Sequence, residues 1–224
     1  MTKYYSQAEQ DKFILNILNF KKNGYFIEIG SNDPILINNT YILEKEYDWK
    51  GIMIEIDNNW INKYIENRPN SIHILRDATI IDYKELFINN NVPKNIDYLQ
   101  IDLEVENGST LKTLQKLNIE IMNEYKFATI TFEHDIYNTN FMNTRLESRK
   151  IFENRGYIRV FTDINNRGTN PYEDWYVHPD LIDKNIIDII MSNNSKNYKT
   201  NIISMKEFPE SIVEKTINFQ DIEY

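Results

Sequence analysis

Tyr25-Phe26-Ile27-Glu28-Ile29-Gly30-Ser31-Asn32-Asp33-Pro34 is the stretch that decides how the rest of the chain is read. It opens with large residues and ends in a Gly/Ser/Asn/Asp/Pro cluster, so it predicts a short buried strand running into a polar turn. Gly30 lets the backbone turn tightly, and Glu28 places an acid inside the strand. In open α/β sheets, ligands bind at such strand-to-turn junctions, at the carboxyl ends of the strands.

Outward from this stretch, the pattern alternates. An amphipathic helix over Gln7–Phe20 carries Phe13, Ile14, Ile17 and Leu18, and Gly24 breaks it. Further strands are predicted over Ile52–Ile56, Ser71–Leu75, Ile96–Leu103, Phe127–Phe132, Gly156–Thr162 and, last and short, Asp174–Val177. Helices are predicted over Asn39–Glu46, Asn58–Asn67, Asp82–Ile88, Ser109–Leu117 with Ser109 as N-cap, Thr144–Asn154 and Leu181–Met191. Residues 163–171 read as a polar loop. Alternation at this spacing predicts one parallel-rich sheet with helices on both faces, its final strand an antiparallel insertion. Neither an internal repeat nor a domain boundary is legible, so residues 1–192 form one expected domain. Residues 193–224 are an extension that packs on it or trails from it.

Composition narrows the function classes. The 224 residues carry a net charge of -9 with pI near 5.0. That speaks against sequence-independent phosphate binding and hence against a nucleic-acid partner. With no cysteine there is no disulfide framework and no thiolate metal site. Met1–Lys22 is charged throughout, without the apolar core of a signal peptide, and no run approaches a membrane span. A soluble, cytoplasmic protein is the expectation. Heavy use of Asn, Ile and Lys reflects AT-rich coding, which makes Asn-rich loops less informative.

Acidic residues recur at successive strand ends: Glu28–Asp33, then Glu55 and Asp57, then Asp77, then Asp102 and Glu104. Parallel strands bring these ends to one rim. A glycine turn offers backbone N–H groups, Glu55 can accept from both hydroxyls of a ribose, and Asp77 suits an exocyclic amine. Any one of them can equally be a helix cap. Glu133-His134-Asp135 ends the fifth strand, beside Asp102 and Glu104. Such a set can hold Mg²⁺ or Mn²⁺ or act as a general base. His73 reads as a packed core histidine, and Trp175 and Tyr176 read as packing. There is no Gly-x-Gly-x-x-Gly, no phosphate-binding Gly-Lys-Ser/Thr loop and no Gly-x-Ser-x-Gly elbow.

Several blocks, in order, resemble the FkbM-type family of S-adenosylmethionine-dependent methyltransferases. They are Tyr5–Asp11, Phe26–Pro34, Asn39-Thr40 with Leu43-Glu44, Trp49–Glu55, Asp97–Glu104, Ile130–His134 and Tyr172–Pro179. The resemblance spans roughly Tyr5 to Pro179. It implies a class I methyltransferase fold: an α/β, Rossmann-like three-layer sandwich around a mostly parallel seven-stranded sheet with an antiparallel last strand. It implies O-methylation of a sugar or glycan hydroxyl. Glu28, Gly30, Ser31 and Asn32 would line the methionine part of S-adenosylmethionine, Glu55 would hold the ribose, and Asp77 and Ala78 would border the adenine. Asp102, Glu133 and His134 would be the catalytic set, binding a divalent ion (Mg²⁺ or Mn²⁺) or serving as base.

Two departures stand out: Val105 replaces the family's glycine after Asp-x-Glu, and the first turn has a single glycine. Rival readings are a metal-independent enzyme with His134 or Glu104 as base, a cofactor- or glycan-binding scaffold without catalysis, and a nucleotide-sugar glycosyltransferase. The N-terminal helix, residues 138–144 and residues 163–172 are the expected lids.

Overall fold

A computed structural model describes residues 3–165 and 170–196, with side chains through 192. The expected extension beyond 196, and the 166–169 part of the expected loop, lie outside the described residues.

Seven strands form one sheet: β1 (Tyr25–Ile29), β2 (Lys50–Glu55), β3 (Ile72–Leu75), β4 (Asn95–Ile101), β5 (Lys126–Glu133), β6 (Ile158–Asn165) and β7 (Pro171–Val177). Their order is β3-β2-β1-β4-β5-β7-β6. The pairs from β3 through β5 are parallel, and β7 runs antiparallel to both β5 and β6. This is the predicted seven-stranded sheet with its antiparallel last strand. The connection from β3 crosses β2 and β1 to reach β4, so the strand order reverses at β1/β4. That crevice is where open α/β sheets bind ligands.

The helices are α1 (Gln10–Ile17), α2 (Tyr41–Tyr47), α3 (Ile61–Asn67), α4 (Tyr83–Asn89), α5 (Ser109–Glu120), α6 (Met142–Asn154) and α7 (Lys184–Lys196). Alternating strand residues feed two cores. Phe26, Met53, Tyr98, Trp175 and Val177 pack under α1, α2, α3 and α7. Ile27, Ile29, Leu99, Ile101, Ile130, Phe132 and Tyr176 pack under α4, α5 and α6. Burial on both faces is why these strands read as near-continuous apolar runs.

Most element ends shift by a few residues from the sequence reading. Helix α1 is shorter at both ends, since Glu9, Asn19 and Phe20 all take positive φ. Gly108, at φ 79, caps α5, and Ser109 is its first residue, donating its N–H to Asn107 Oδ1 at 2.9 Å. Strand β4 ends at Ile101 rather than Leu103. Residues 163–165 and 171, expected as loop, and the unassigned 172–173 extend the β6–β7 hairpin, where cross-strand pairing overrides the local pattern.

The N-terminal block also acquires a physical role. The buried Asp11 carboxylate accepts the N–H groups of Tyr5 (2.6 Å) and Ser6 (3.2 Å), folding residues 4–6 back over the start of α1. Its neighbour Gln10 then reaches across to β7, donating to Glu173 Oε2 at 2.9 Å.

Candidate active site

Strand β1 ends against β4. Asp102 N–H donates to Ile29 O at 3.0 Å, and Gly30 N–H donates to Ile54 O at 2.9 Å. Gly30 has φ +85, and a β-carbon there would lie 1.7 Å from the Asp102 carbonyl oxygen. Only glycine fits this turn, on conformational and steric grounds together. Ser31 turns its hydroxyl back onto the Glu28 and Ile54 carbonyls, at 3.2 and 3.4 Å, and so braces the turn. Asn32 is left-handed at φ 47, and its N–H points to Glu55.

Glu28 is wholly buried beneath the turn. Burial pushes its carboxyl up to about 7, against the opposing pull of Arg68 and of hydrogen bonds from Thr40, Asn38 and Ser31. Asn38 Nδ2 approaches Oε2 at 3.3 Å and Arg68 stands 3.9 Å away, while Oε1 has no hydrogen-bond partner. Arg68 is the hub here. It donates to Glu44 Oε2 (2.8 Å), Asn38 Oδ1 (2.9 Å), Pro34 O (3.2 Å) and Thr40 Oγ1 (2.6 Å), clamping the 34–40 loop. Sequence reasoning missed Arg68, since its only local signal is a lone cation after a helix.

Glu55 closes the same turn from β2. Oε2 accepts the Asn32 N–H at 2.8 Å, and Oε1 accepts those of Ile56 (2.7 Å) and Asp57 (3.0 Å). A carboxylate oxygen has two acceptor sites, so Oε2 still has room for a hydroxyl donor. Asp77 uses Oδ1 to cap the turn at 78–80, accepting from Thr79 N and Oγ1, both at 2.8 Å, with the buried Ala78 behind it. Gly30, Asn32, Glu55, Asp77 and Ala78 therefore share one rim, with Glu28 below it. A surface groove of about 560 Å³ opens farther along, lined by residues of the 105–115 and 138–144 segments, and none of the rim carboxylates lines it.

The expected trio Asp102, Glu133 and His134 does not come together. Consecutive strand residues point to opposite faces. Glu133 lies on the α1 face in register with Glu173, whereas His134 turns to the α6 face. On the α1 face, Gln100 Nε2 donates to Asp102 Oδ2 at 3.3 Å. Burial, and then Asp102, push the Glu133 carboxyl up to about 12. Burial pushes Glu173 up to about 8, and its Oε2 also accepts Trp175 Nε1 at 2.7 Å.

His134 is fully buried. Its Nδ1 accepts the Ile136 N–H at 3.2 Å, and its Nε2 lies 3.4 Å from Asp174 Oδ1 and 3.5 Å from Asp163 Oδ1. Among the described residues, these three are the group whose ligand atoms lie within 4.8 Å of one another. They do not fit a metal. Asp163 Oδ1 already accepts from Arg145 Nε (2.8 Å) and Arg149 Nη2 (2.7 Å), and Asp174 accepts from Arg149 Nε at 2.6 Å. Burial alone would raise the Asp174 carboxyl, but His134 and Arg149 outweigh it and hold it well below the carboxylate range. Two guanidinium groups supply the charge a metal would supply, and the cluster is an ion-pair lattice fastening α6 to the β6–β7 hairpin. His178, at the end of the last strand block, accepts the Asp180 N–H at 3.1 Å and packs edge-on against Tyr157. Among the described residues, no helix is long and apolar enough to cross a membrane.

No family model and no curated protein matches the chain. Solved structures do resemble it. One is described as "putative rRNA-methylase" from Clostridium thermocellum: TM-score 0.52, 12% identity, covering 79% of this chain and 99% of that one. Others are a TehB-like SAM-dependent methyltransferase from Corynebacterium glutamicum (TM-score 0.48, 9% identity, 79% and 89% covered) and the METTL16 methyltransferase domain (0.49, 9%, 76% and 81%). At these identities the likeness concerns the fold, and the fold of this chain is that of the class I methyltransferases.

Proposed function

We propose that the chain is an S-adenosylmethionine-dependent O-methyltransferase acting on a hydroxyl of a sugar or glycan. The observation that carries this reading is the Gly30 turn pressed onto Asp102, with Glu28, Glu55 and Asp77 at three successive strand ends around it. The class I fold supports it. The unpartnered, buried Glu28 Oε1 fits a donor group of the cofactor's methionine part. Glu55 Oε2 takes a ribose hydroxyl, and the free Oδ2 of Asp77 takes the adenine amine, with Ala78 against the ring.

When bound, S-adenosylmethionine supplies the methyl group as an electrophile. The chain's own work is to orient the acceptor hydroxyl and receive its proton. Asp102 at the end of β4, with Glu133 at the neighbouring end of β5, is the carboxyl pair that would receive it. His134 faces the opposite side of the sheet, so the proton goes to this carboxyl pair. With His134 turned away from Asp102 and Glu133, no described ligand set fits Mg²⁺ or Mn²⁺ there, and no step is assigned to a metal. The negative chain is suited to an uncharged or cationic acceptor rather than a nucleic acid.

Calorimetry with S-adenosylmethionine, followed by methyl transfer to a sugar panel with and without EDTA, tests the reading. Binding and EDTA-resistant transfer are expected. Absence of binding overturns it, and binding without transfer to any sugar favours a scaffold of the same fold.

A further inference from the structure

The groove of about 560 Å³ that opens beyond the rim is walled by the chain leaving β4 and the chain leaving β5. These are the two strands whose ends carry Asp102 and Glu133. Val105, buried in one wall, is three residues past Asp102, so at most about 11 Å of backbone separates them. Asn138, in the other wall, is five residues past Glu133, at most about 18 Å away. A molecule that presents a hydroxyl to Asp102 therefore has this groove within reach of its remaining parts. A volume of this order lies within the roughly 300–1,000 Å³ of ligand sites and has room for more than one sugar ring.

The lining is rich in amides. Asn107 and Asn138 spend their Oδ1 atoms on the N–H groups of Ser109 (2.9 Å) and Asn140 (3.1 Å) and keep their own side-chain N–H groups free. The side chains of Asn140, Asn143 and Gln115 make no hydrogen bond among the described residues. An amide offers two donors and an acceptor in one plane, which suits neighbouring hydroxyls on a ring. Phe141, half-buried in the same lining, offers apolar surface to the C–H face of such a ring. Coding bias makes asparagine common in this chain, but it does not by itself place five amides and an aromatic ring in one groove. The charged residues there are Glu106 and Lys112, both exposed and of opposite sign, so the lining carries no net charge. With a chain charge of -9, this leaves no basic track for the phosphates of a nucleic acid.

We propose that this groove is an extended acceptor subsite and that the acceptor is a neutral oligosaccharide, held here by its unreacting rings while one hydroxyl reaches Asp102. The proposal rests on the methyltransferase reading for what becomes of that hydroxyl, but the groove's binding of an oligosaccharide stands apart from it.

The test is an NMR titration of the full chain, followed on the side-chain amide resonances of Gln115 and Asn143. The probes are cellotriose and maltotriose, with glucose as the single ring and a short oligouridine RNA as the charged polymer. At least one trisaccharide is expected to shift both resonances and to bind at least about tenfold more tightly than glucose. Asn143→Ala and Gln115→Ala, both at exposed positions, are expected to weaken that binding about fivefold each, and Phe141→Ala to weaken it more. Four results overturn the proposal: no binding of either trisaccharide, equal affinity for trisaccharide and glucose, binding that the three variants leave unchanged, or the RNA shifting these resonances in place of the sugars. S-adenosylmethionine is titrated into the same sample. If it binds while the trisaccharides do not, the groove assignment falls and the cofactor reading stands. The reverse result removes the cofactor reading alone.

Discussion

The α-carbon of Gly30 faces the carbonyl oxygen of Asp102 so closely that a β-carbon would stand 1.7 Å from it. The first turn of the rim and the end of β4 are therefore one unit, and neither moves without the other. Gly30→Ala should act on both. A left-handed alanine costs about 1–2 kcal/mol, and displacing a packed backbone adds roughly 1–3 kcal/mol. Urea unfolding should show the sum. Calorimetry should show S-adenosylmethionine affinity falling further than the stability loss explains, because the Asn32 and Ser31 N–H groups shift with the turn. Unchanged affinity would separate the turn from the cofactor.

Arg68 holds the floor of that turn. It is fully buried and bonds four partners while standing 3.9 Å from Glu28. Removing one side of a buried ion pair costs about 3–5 kcal/mol, because the other charge is left uncompensated. Arg68→Met should therefore destabilise by that order, and Arg68→Lys by less, since a lysine keeps the charge but cannot reach Glu44, Asn38, Pro34 and Thr40 together. In the double variant Glu28→Gln/Arg68→Met, part of the loss should return. Strict additivity would show that the two groups do not interact.

Several buried carboxyls, Glu133 among them, are raised and make stability fall with rising pH, and Glu28 and Glu173 can be followed singly. Glu28 is raised to about 7 and Glu173 to about 8 from the usual 4.5. In each, the folded state holds its proton over a range where the unfolded chain has lost it. Their stabilising contribution is complete below about pH 4.5 and is lost as pH rises through 7 and 8. Stability should fall across that window by on the order of a few kcal/mol. Glu28→Gln and Glu173→Gln should each flatten the fall, which denaturant melts at pH 5, 6.5 and 8 would measure. A wild-type curve flat over this window would refute the assignment. Asp174 works in the other direction: its carboxyl is lowered, so its contribution is lost only as pH drops below the unfolded value of 3.8.

The sheet was legible because its central strands are buried on both faces and read as apolar runs between turns. The β6–β7 hairpin was only half legible. Asp163, Asn165 and Glu173 are polar because they serve the two faces of the sheet end, and their strand character comes from pairing that no local pattern records. Glu28, Glu55 and Asp77 could be singled out as strand-end acids, since chain direction alone places them on one rim. What Glu28 meets there could not be singled out, because Arg68 lies forty residues away and its contacts form only in the folded chain. The separation of Glu133 from His134 was present in the sequence as the two-residue period of a strand. Reading them as one constellation set that period aside.

The lattice around His134 makes the sharpest distinction between a metal centre and an ion-pair cluster. His134, Asp163 and Asp174 have the residue types of a metal site, but Arg145 and Arg149 already occupy their carboxylate lone pairs. Adding Zn²⁺ or Mn²⁺ should leave the melting temperature unchanged, and EDTA should do the same. Arg149→Met should instead destabilise, by up to about 3–5 kcal/mol, as it takes the nearest cation from the buried Asp174 carboxylate and leaves it only Arg159 at 3.7 Å. The same variant should raise the Asp174 carboxyl toward its ordinary value, so that less stability is lost on acidification than in the wild type. It also frees lone pairs on both aspartates beside the His134 ring. In Arg149→Met, and not in the wild type, Zn²⁺ should then raise the melting temperature. A wild-type protein stabilised by Zn²⁺ would mean that the arginines yield to a metal, and the cluster would have to be read as a metal centre.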